Sequence, residues 1–185
     1  MARPLVLALG GTRSGKSGFG LAATRAFASR PSASGRAWFL ATAWPRDPEM
    51  DNRIRRHRAE RPADWPTIDV GADLPGALNK TNPVEPVLID GLTLWLSTIL
   101  GDDVADIDQL LDGPVAAALE AIDLRPGPVV VVSDEVGGGI VPMHAGARAY
   151  RDLVGIVHQR VAARADEVHL LVAGLPLQLK GPARG

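Results

Sequence analysis

The chain has no cysteine. That excludes disulfides, thiolate metal sites and cysteine nucleophiles, and it is compatible with a reducing compartment. It also lacks an apolar run near the roughly 20 residues that a membrane helix needs. The apolar stretch at the N-terminus is short and leads straight into a glycine loop, so it reads as a strand and not as a signal peptide. Charge of one sign is missing as well: 20 basic side chains face 21 acidic ones, for a formal net charge of −1. No general pull towards nucleic acid or anionic lipid follows from that balance, so any anion site must be a local arrangement of donors. There is no internal repeat and no low-complexity linker. What remains is a chain of 185 residues, 46% hydrophobic, which favours one domain that buries its own core in the cytoplasm.

Short apolar runs alternate with helical stretches. Leu5–Leu9, Ala37–Ala41, Val87–Asp90, Val129–Ser133 and Val168–Val172 are mostly apolar at successive positions. That pattern belongs to strands covered on both faces, hence to a parallel sheet between helices. Trp65–Val70 reads as an edge strand, because Pro66 is poorly tolerated in a central one. Helices are expected over Lys16–Ser29, Asp47 to about Glu60, Leu92–Leu100, Asp106–Ile122 and Ala145–Ala165. Asp47 is placed to cap its helix, with Pro48 at the first helical position. The alternation predicts a doubly wound, mostly parallel α/β domain of the P-loop, RecA-like kind over residues 1–180, with a frayed tail at 181–185.

The segment Gly10-Gly11-Thr12-Arg13-Ser14-Gly15-Lys16-Ser17 satisfies the phosphate-loop pattern in full. Gly10 and Gly15 let the backbone curl close to an anion. Successive amides then point inward, and the following helix adds its N-terminal partial charge. Lys16 is expected to reach the β and γ phosphates, and Ser17 to ligate Mg²⁺. The pattern alone does not choose a reaction, because kinases, NTPases and switches share it.

A second segment, Asp47 to Trp65, is basic in its later half. On a helix, Arg53, His57 and Arg61 would share one face, while Met50, Ile54 and His57 fit another side. An imidazole at such a border has its pKa pushed down and stays neutral and nucleophilic. The plainer reading of this segment alone is a solvated basic helix with an incidental histidine. Asp90 ends its strand where an acid holds Mg²⁺ in P-loop proteins, or else caps the next helix. Asp134 and Glu135, followed by Gly137-Gly-Gly-Ile-Val-Pro142, form either an ordinary flexible connection or, since they stand where substrates bind in such sheets, part of a site. His144, His158 and His169 show no metal-ligand spacing, and His169 reads as structural.

Together these segments resemble one family nearly end to end, the bifunctional adenosylcobinamide kinase / adenosylcobinamide-phosphate guanylyltransferases of cobalamin biosynthesis. The resemblance rests on Gly10–Ser17, on Ala41-Thr42 with Asp47 to Met50, and on Arg53-Ile54 with His57, Arg61-Pro62 and Trp65. It continues through Asp134-Glu-Val-Gly-Gly-Gly-Ile-Val-Pro142, Tyr150-Arg-Asp-Leu-Val-Gly155 and Ala165-Asp-Glu-Val168. It implies two reactions. A nucleoside triphosphate, GTP or ATP, phosphorylates the aminopropanol hydroxyl of adenosylcobinamide. GTP then guanylylates a histidine, and the cobinamide phosphate displaces it to give adenosyl-GDP-cobinamide.

On that resemblance His57 becomes the nucleotidyl acceptor, with Lys16 as the other catalytic group. Thr42, Ala43, Trp44, Arg58, Arg61, Pro62, Asp69 and Asp90 join Gly10–Ser17 as nucleotide contacts. Ser17 and Asp90 hold the metal. The resemblance also implies a homotrimer. Against the family pattern, Asp134 and His158 each stand where asparagine is usual, Asp90 stands for glutamate, and Arg56 replaces a histidine found in some members. The competing readings are a P-loop small-molecule kinase without nucleotidyl transfer, and a non-catalytic nucleotide switch.

Overall fold

The computed structural model describes residues 4–31, 33–42, 63–101 and 106–182. The expected helix from Asp47, and with it His57, Ala43, Trp44, Arg58, Arg61 and Pro62, lies outside the described residues.

The described elements run in order as β1 (Leu5–Gly10), α1 (Lys16–Ala28), β2 (Trp38–Ala41), β3 (Thr67–Asp69), α2 (Leu74–Asn79), β4 (Val87–Asp90), α3 (Leu92–Leu100), α4 (Ile107–Asp112), α5 (Pro114–Leu124), β5 (Val129–Asp134), α6 (Ala145–Arg164), β6 (Glu167–Val172) and β7 (Leu175–Lys180). The strands form one seven-stranded sheet in the order β3-β2-β4-β5-β1-β6-β7. Every neighbouring pair is parallel except β6 with β7, which is antiparallel.

The apolar runs explain this arrangement. In β1, Leu5 and Leu7 enter the core on one face and Val6 and Ala8 the core on the other. Val129 and Val131 of β5 separate from Val130 and Val132 in the same way. A strand buried on both faces has no polar side to alternate with, hence the continuous runs. The larger core lies under α2 to α6 and includes Trp95 and Leu153, while the smaller one lies under α1 with Phe27 and Trp65. Gly20 brings α1 close to the sheet: a Cβ there would meet Val132 Cγ2 at 2.5 Å.

Three expectations change. Asp106–Ile122 is two helices, not one. Asp106 does cap the first, accepting from the Asp108 amide, but the chain turns at Gly113 (φ −97°, ψ −103°) and restarts at Pro114. Pro114 has no N–H to give to the preceding turn and is suited to a first helical position, so the pair Gly113-Pro114 ends α4 and begins α5. Second, α2 was not anticipated; Asp73 caps it by accepting from the Gly76 amide at 2.8 Å. Third, β7 was not anticipated, although its last residue, Lys180, is where the ordered chain was expected to end. It closes a two-residue hairpin whose turn residues, Ala173 (φ 52°) and Gly174 (φ 81°), both have positive φ, the geometry of a tight primed turn. The edge position of β3 matches the reading from Pro66.

Candidate active site

The parallel strands end along one edge of the sheet, and the candidate residues collect there. Gly10 is the last residue of β1, and α1 begins at Lys16. Between them the loop needs two unusual backbone conformations. Gly15 has φ +94°, and Arg13 also has positive φ at 57°. A Cβ on Gly15 would stand 3.0 Å from the Gly174 Cα, and one on Gly10 would meet Ser14 Oγ at 2.3 Å. Close approach therefore requires glycine at both positions, and at Gly15 the positive φ requires it as well. The β6–β7 turn braces this loop, because the Gly174 amide donates to the Ser14 carbonyl at 2.9 Å. Gly11, Thr12 and Arg13 remain exposed, with their surface open to a ligand. Ser14 is buried, and its hydroxyl has no hydrogen-bond partner within the protein. An unpartnered buried hydroxyl carries a desolvation cost that a phosphate oxygen at this loop would relieve.

Lys16 is buried, and its ammonium is held on two sides. Nζ donates to the Gly11 carbonyl at 3.0 Å and lies 2.6 Å from Asp134 Oδ1. The partnership follows from register, since Gly10 of β1 pairs with Asp134 of β5. Thr93, in the first turn of α3, fixes the other carboxylate oxygen by donating from Oγ1 to Asp134 Oδ2 at 3.0 Å. The Tyr150 hydroxyl in turn donates to the Thr93 carbonyl at 3.0 Å. Burial, with the nearby Asp134 charge, pushes the Tyr150 phenol up to about 12, so it stays a donor. Behind Asp134, Ser133 Oγ lies 2.7 Å from His158 Nε2. Burial holds the His158 pKa down to about 4, despite the opposing pull of Glu135 and Asp134. The imidazole is therefore neutral near pH 7.

Ser17 Oγ donates to Asp90 Oδ1 at 3.3 Å. Of the two readings of Asp90, the capping one is not what the structure shows. The cap of α3 is Gly91, with no side chain in that role, and the Asp90 carboxylate turns to the phosphate loop. A hydroxyl and a carboxylate on adjoining elements are hard oxygen donors of the kind Mg²⁺ takes. Among the described residues no group of three or more His, Cys, Asp or Glu could hold a metal. The pair thus suits an ion that arrives with phosphates and completes its shell from them and from water.

The remaining expected residues divide. Thr42 is buried, and its hydroxyl lies 2.8 Å from the Asp90 carbonyl and 2.6 Å from that of Gly91. It secures the turn that aims Asp90. Asp69 ends β3 at the same edge of the sheet but on its outermost strand, and is exposed. His169 is buried in β6, 4.8 Å between ring centroids from Phe19, with Nε2 2.9 Å from Glu167 Oε2. It is packed between the sheet and α1, in keeping with a structural role. Asp134 as the partner of Lys16, Thr93 behind it and Gly174 under the loop were not anticipated, since each depends on strand register and no local motif signals it.

The sheet order, the loop and the Ser17–Asp90 pair define a P-loop nucleotide-binding α/β protein. More particularly, residues 6–179 match the family described as cobinamide kinase / cobinamide phosphate guanyltransferase, and the chain belongs to it. It is similar to a bifunctional adenosylcobalamin biosynthesis protein, CobP, of Pseudomonas aeruginosa, with 42% identity over 95% of this chain and 96% of that one. It is also similar to the bifunctional adenosylcobalamin biosynthesis protein CobU of Escherichia coli, with 33% identity over 95% of this chain and 99% of that one. Among solved structures, a KaiC-like protein of Pyrococcus horikoshii aligns with a TM-score of 0.48 and 12% identity, over 90% of this chain and 70% of that one.

Proposed function

We infer that this chain phosphorylates the aminopropanol hydroxyl of adenosylcobinamide and then guanylylates the product, with His57 carrying the GMP between donor and acceptor. The observation that carries the reading is the Lys16, Ser17, Asp90 and Asp134 constellation at one sheet edge, in a chain that belongs to this family.

In the kinase step the cradle positions the triphosphate. Loop amides and Lys16 neutralise charge on the transferring group as the substrate hydroxyl oxygen attacks the γ-phosphorus, the bond from that phosphorus to the β–γ bridging oxygen breaks, the nucleoside diphosphate leaves and the hydroxyl proton passes to solvent. Mg²⁺, held by Ser17 and Asp90, would supply further charge neutralisation on the phosphate oxygens. In the second step a neutral His57 nitrogen attacks the α-phosphorus of GTP, and pyrophosphate leaves. The cobinamide phosphate oxygen then attacks the same phosphorus, and the N–P bond breaks. Splitting the transfer in two lowers each barrier.

Asp69 and the segment Ala43, Trp44, Arg58, Arg61, Pro62 are assigned to nucleotide contact, and Thr42, buried with its hydroxyl on the Asp90 and Gly91 carbonyls, to the turn that carries Asp90. Association into a homo-oligomer is supported by the edge strand β7, where Leu175, Leu177 and Leu179 are 73%, 58% and 57% exposed, and the number three is what the resemblance implies. No described helix is long and apolar enough to cross a membrane, and the cytoplasm is where both triphosphates are at hand.

The test is incubation with GTP labelled at the α-phosphate. The expected outcome is a protein label that is acid-labile and base-stable, and absent from His57→Ala. A label retained in that variant would remove His57 from the pathway. Cobinamide phosphorylation without any protein label would leave a single-activity kinase.

A further inference from the structure

The loop that follows β5 shows apolar side chains to water in a shape that its own backbone cannot relax. Ile140 is 97% exposed, Met143 93% and Val141 66%. Single exposed apolar residues are ordinary, but three within four positions form a patch, and patches mark binding surfaces.

The loop is braced from below. Arg151 donates from Nη1 to the carbonyls of Gly139 and Ile140, at 3.1 and 3.3 Å, and from Nη2 to that of Gly137. Arg148 Nη1 donates to the carbonyls of Pro142 and Met143, at 3.0 and 2.7 Å. The Glu135 carboxylate accepts from the amides of Gly137 and Gly138 at 2.6 and 3.2 Å. Two helix arginines and one carboxylate thus engage five carbonyls and two amides of the loop. The side chains of Ile140, Val141 and Met143 are left outside.

Its position names the occupant. Asp134 touches Lys16, and the next residue, Glu135, donates its amide to the Gly10 carbonyl at 3.1 Å. Ile140 is six residues beyond Asp134, so it lies within about 20 Å of the phosphate site by chain reach. A phosphate acceptor must bring its hydroxyl to Lys16 and rest its remaining bulk on the same edge of the sheet. The acceptor inferred above carries that hydroxyl on an arm of a large macrocycle with a methyl-bearing face.

We propose that Ile140, Val141 and Met143 form the platform on which the apolar face of the corrinoid acceptor rests, with Arg148 and Arg151 holding it in shape. The proposal rests on the functional reading given above. The subunit contact assigned to β7 lies on a different segment of the chain from this loop.

The test is the double variant Ile140→Ser, Met143→Ser in the full chain. Both side chains are exposed, so no core packing is lost. Adenosylcobinamide binding is followed by equilibrium dialysis through the corrinoid's visible absorbance. GTP affinity is measured without corrinoid, and assembly mass by light scattering. The expected result is corrinoid binding weakened about tenfold or more, with GTP affinity and mass unchanged. Unchanged corrinoid binding would overturn the platform. A fall in assembly mass in the variant would also overturn it, making the loop a subunit contact. Where the unaltered protein itself fails to bind or phosphorylate adenosylcobinamide, the functional reading fails and the platform with it. That outcome is distinct from a wild type and a variant that both bind well.

Discussion

Lys16 Nζ lies 2.6 Å from Asp134 Oδ1, at the point where the phosphates of a bound nucleotide need the lysine. The ion pair competes with the ligand. A triphosphate must draw the ammonium off a carboxylate, and then sit beside that carboxylate's negative charge. Asp134→Asn keeps the shape and the reach to Thr93 while removing the charge. Nucleotide binding is therefore expected to tighten by several-fold to about tenfold, because a like charge at this range costs on the order of 1 kcal/mol or more at a partly exposed site. Titration calorimetry with GTP measures it. Weaker binding in the variant would show instead that the carboxylate serves to aim Lys16.

Ser17→Ala tests the metal assignment. The hydroxyl is 3.3 Å from Asp90 Oδ1, and both would contact the ion. Losing one of two protein oxygens is expected to raise the Mg²⁺ concentration for half-maximal kinase turnover by about tenfold, in line with the loss of about 1.4 kcal/mol. Asp90→Asn should act in the same direction. A Mg²⁺ dependence unmoved by either change would take the ion away from this pair.

Much of this arrangement was legible in the chain, and the reasons are local. Leu5–Leu9, Val87–Asp90 and Val129–Ser133 declare buried parallel strands because both of their faces are covered. The phosphate loop is a contiguous motif. Asp106–Ile122 was misjudged because its apolar spacing continues through Gly113-Pro114, and the break there is a matter of a missing N–H rather than of polarity. Pro176 hid β7, for proline argues against a strand unless the strand is an edge, and only the assembled sheet shows that it is one. The contacts of Lys16 with Asp134, and of Asp134 with Thr93, join residues 118 and 41 positions apart. Strand register sets Asp134 beside the phosphate loop, and the helix that carries Thr93 packs at the end of the same strand.

The β6–β7 turn gives a stability prediction. Ala173 is held at φ 52°, a conformation that costs a non-glycine residue roughly 1 kcal/mol. Ala173→Gly relieves it at the expense of some unfolded-state entropy, for a net gain of about 0.5 kcal/mol. The melting temperature should rise by about 1–2 °C in a chain of this size. The turn also supports the phosphate loop through the Gly174 amide, so GTP binding should be retained. A lower melting temperature would mean that the Ala173 methyl contributes more by packing than its backbone costs.

His158 gives a pH dependence whose sign follows from its surroundings. Burial lowers its pKa from 6.5 to about 4 in the folded chain. Between those values the unfolded chain binds a proton that the folded chain refuses, so stability rises with pH across this window. The contribution is complete above about pH 6.5 and is lost as pH falls towards 4. After allowance for partial exposure, it is worth on the order of 2 kcal/mol. Asparagine, the residue the resembled family usually carries here, cannot titrate. His158→Asn should therefore flatten the difference between urea midpoints taken at pH 5 and pH 7.5, while an amide can still bond to Ser133 Oγ. The comparison of slopes separates titration from packing, because a packing loss lowers both midpoints together. If the variant kept the full pH dependence of the parent, the proton would have to be taken up elsewhere, and the Ser133–His158 contact would be a matter of shape alone.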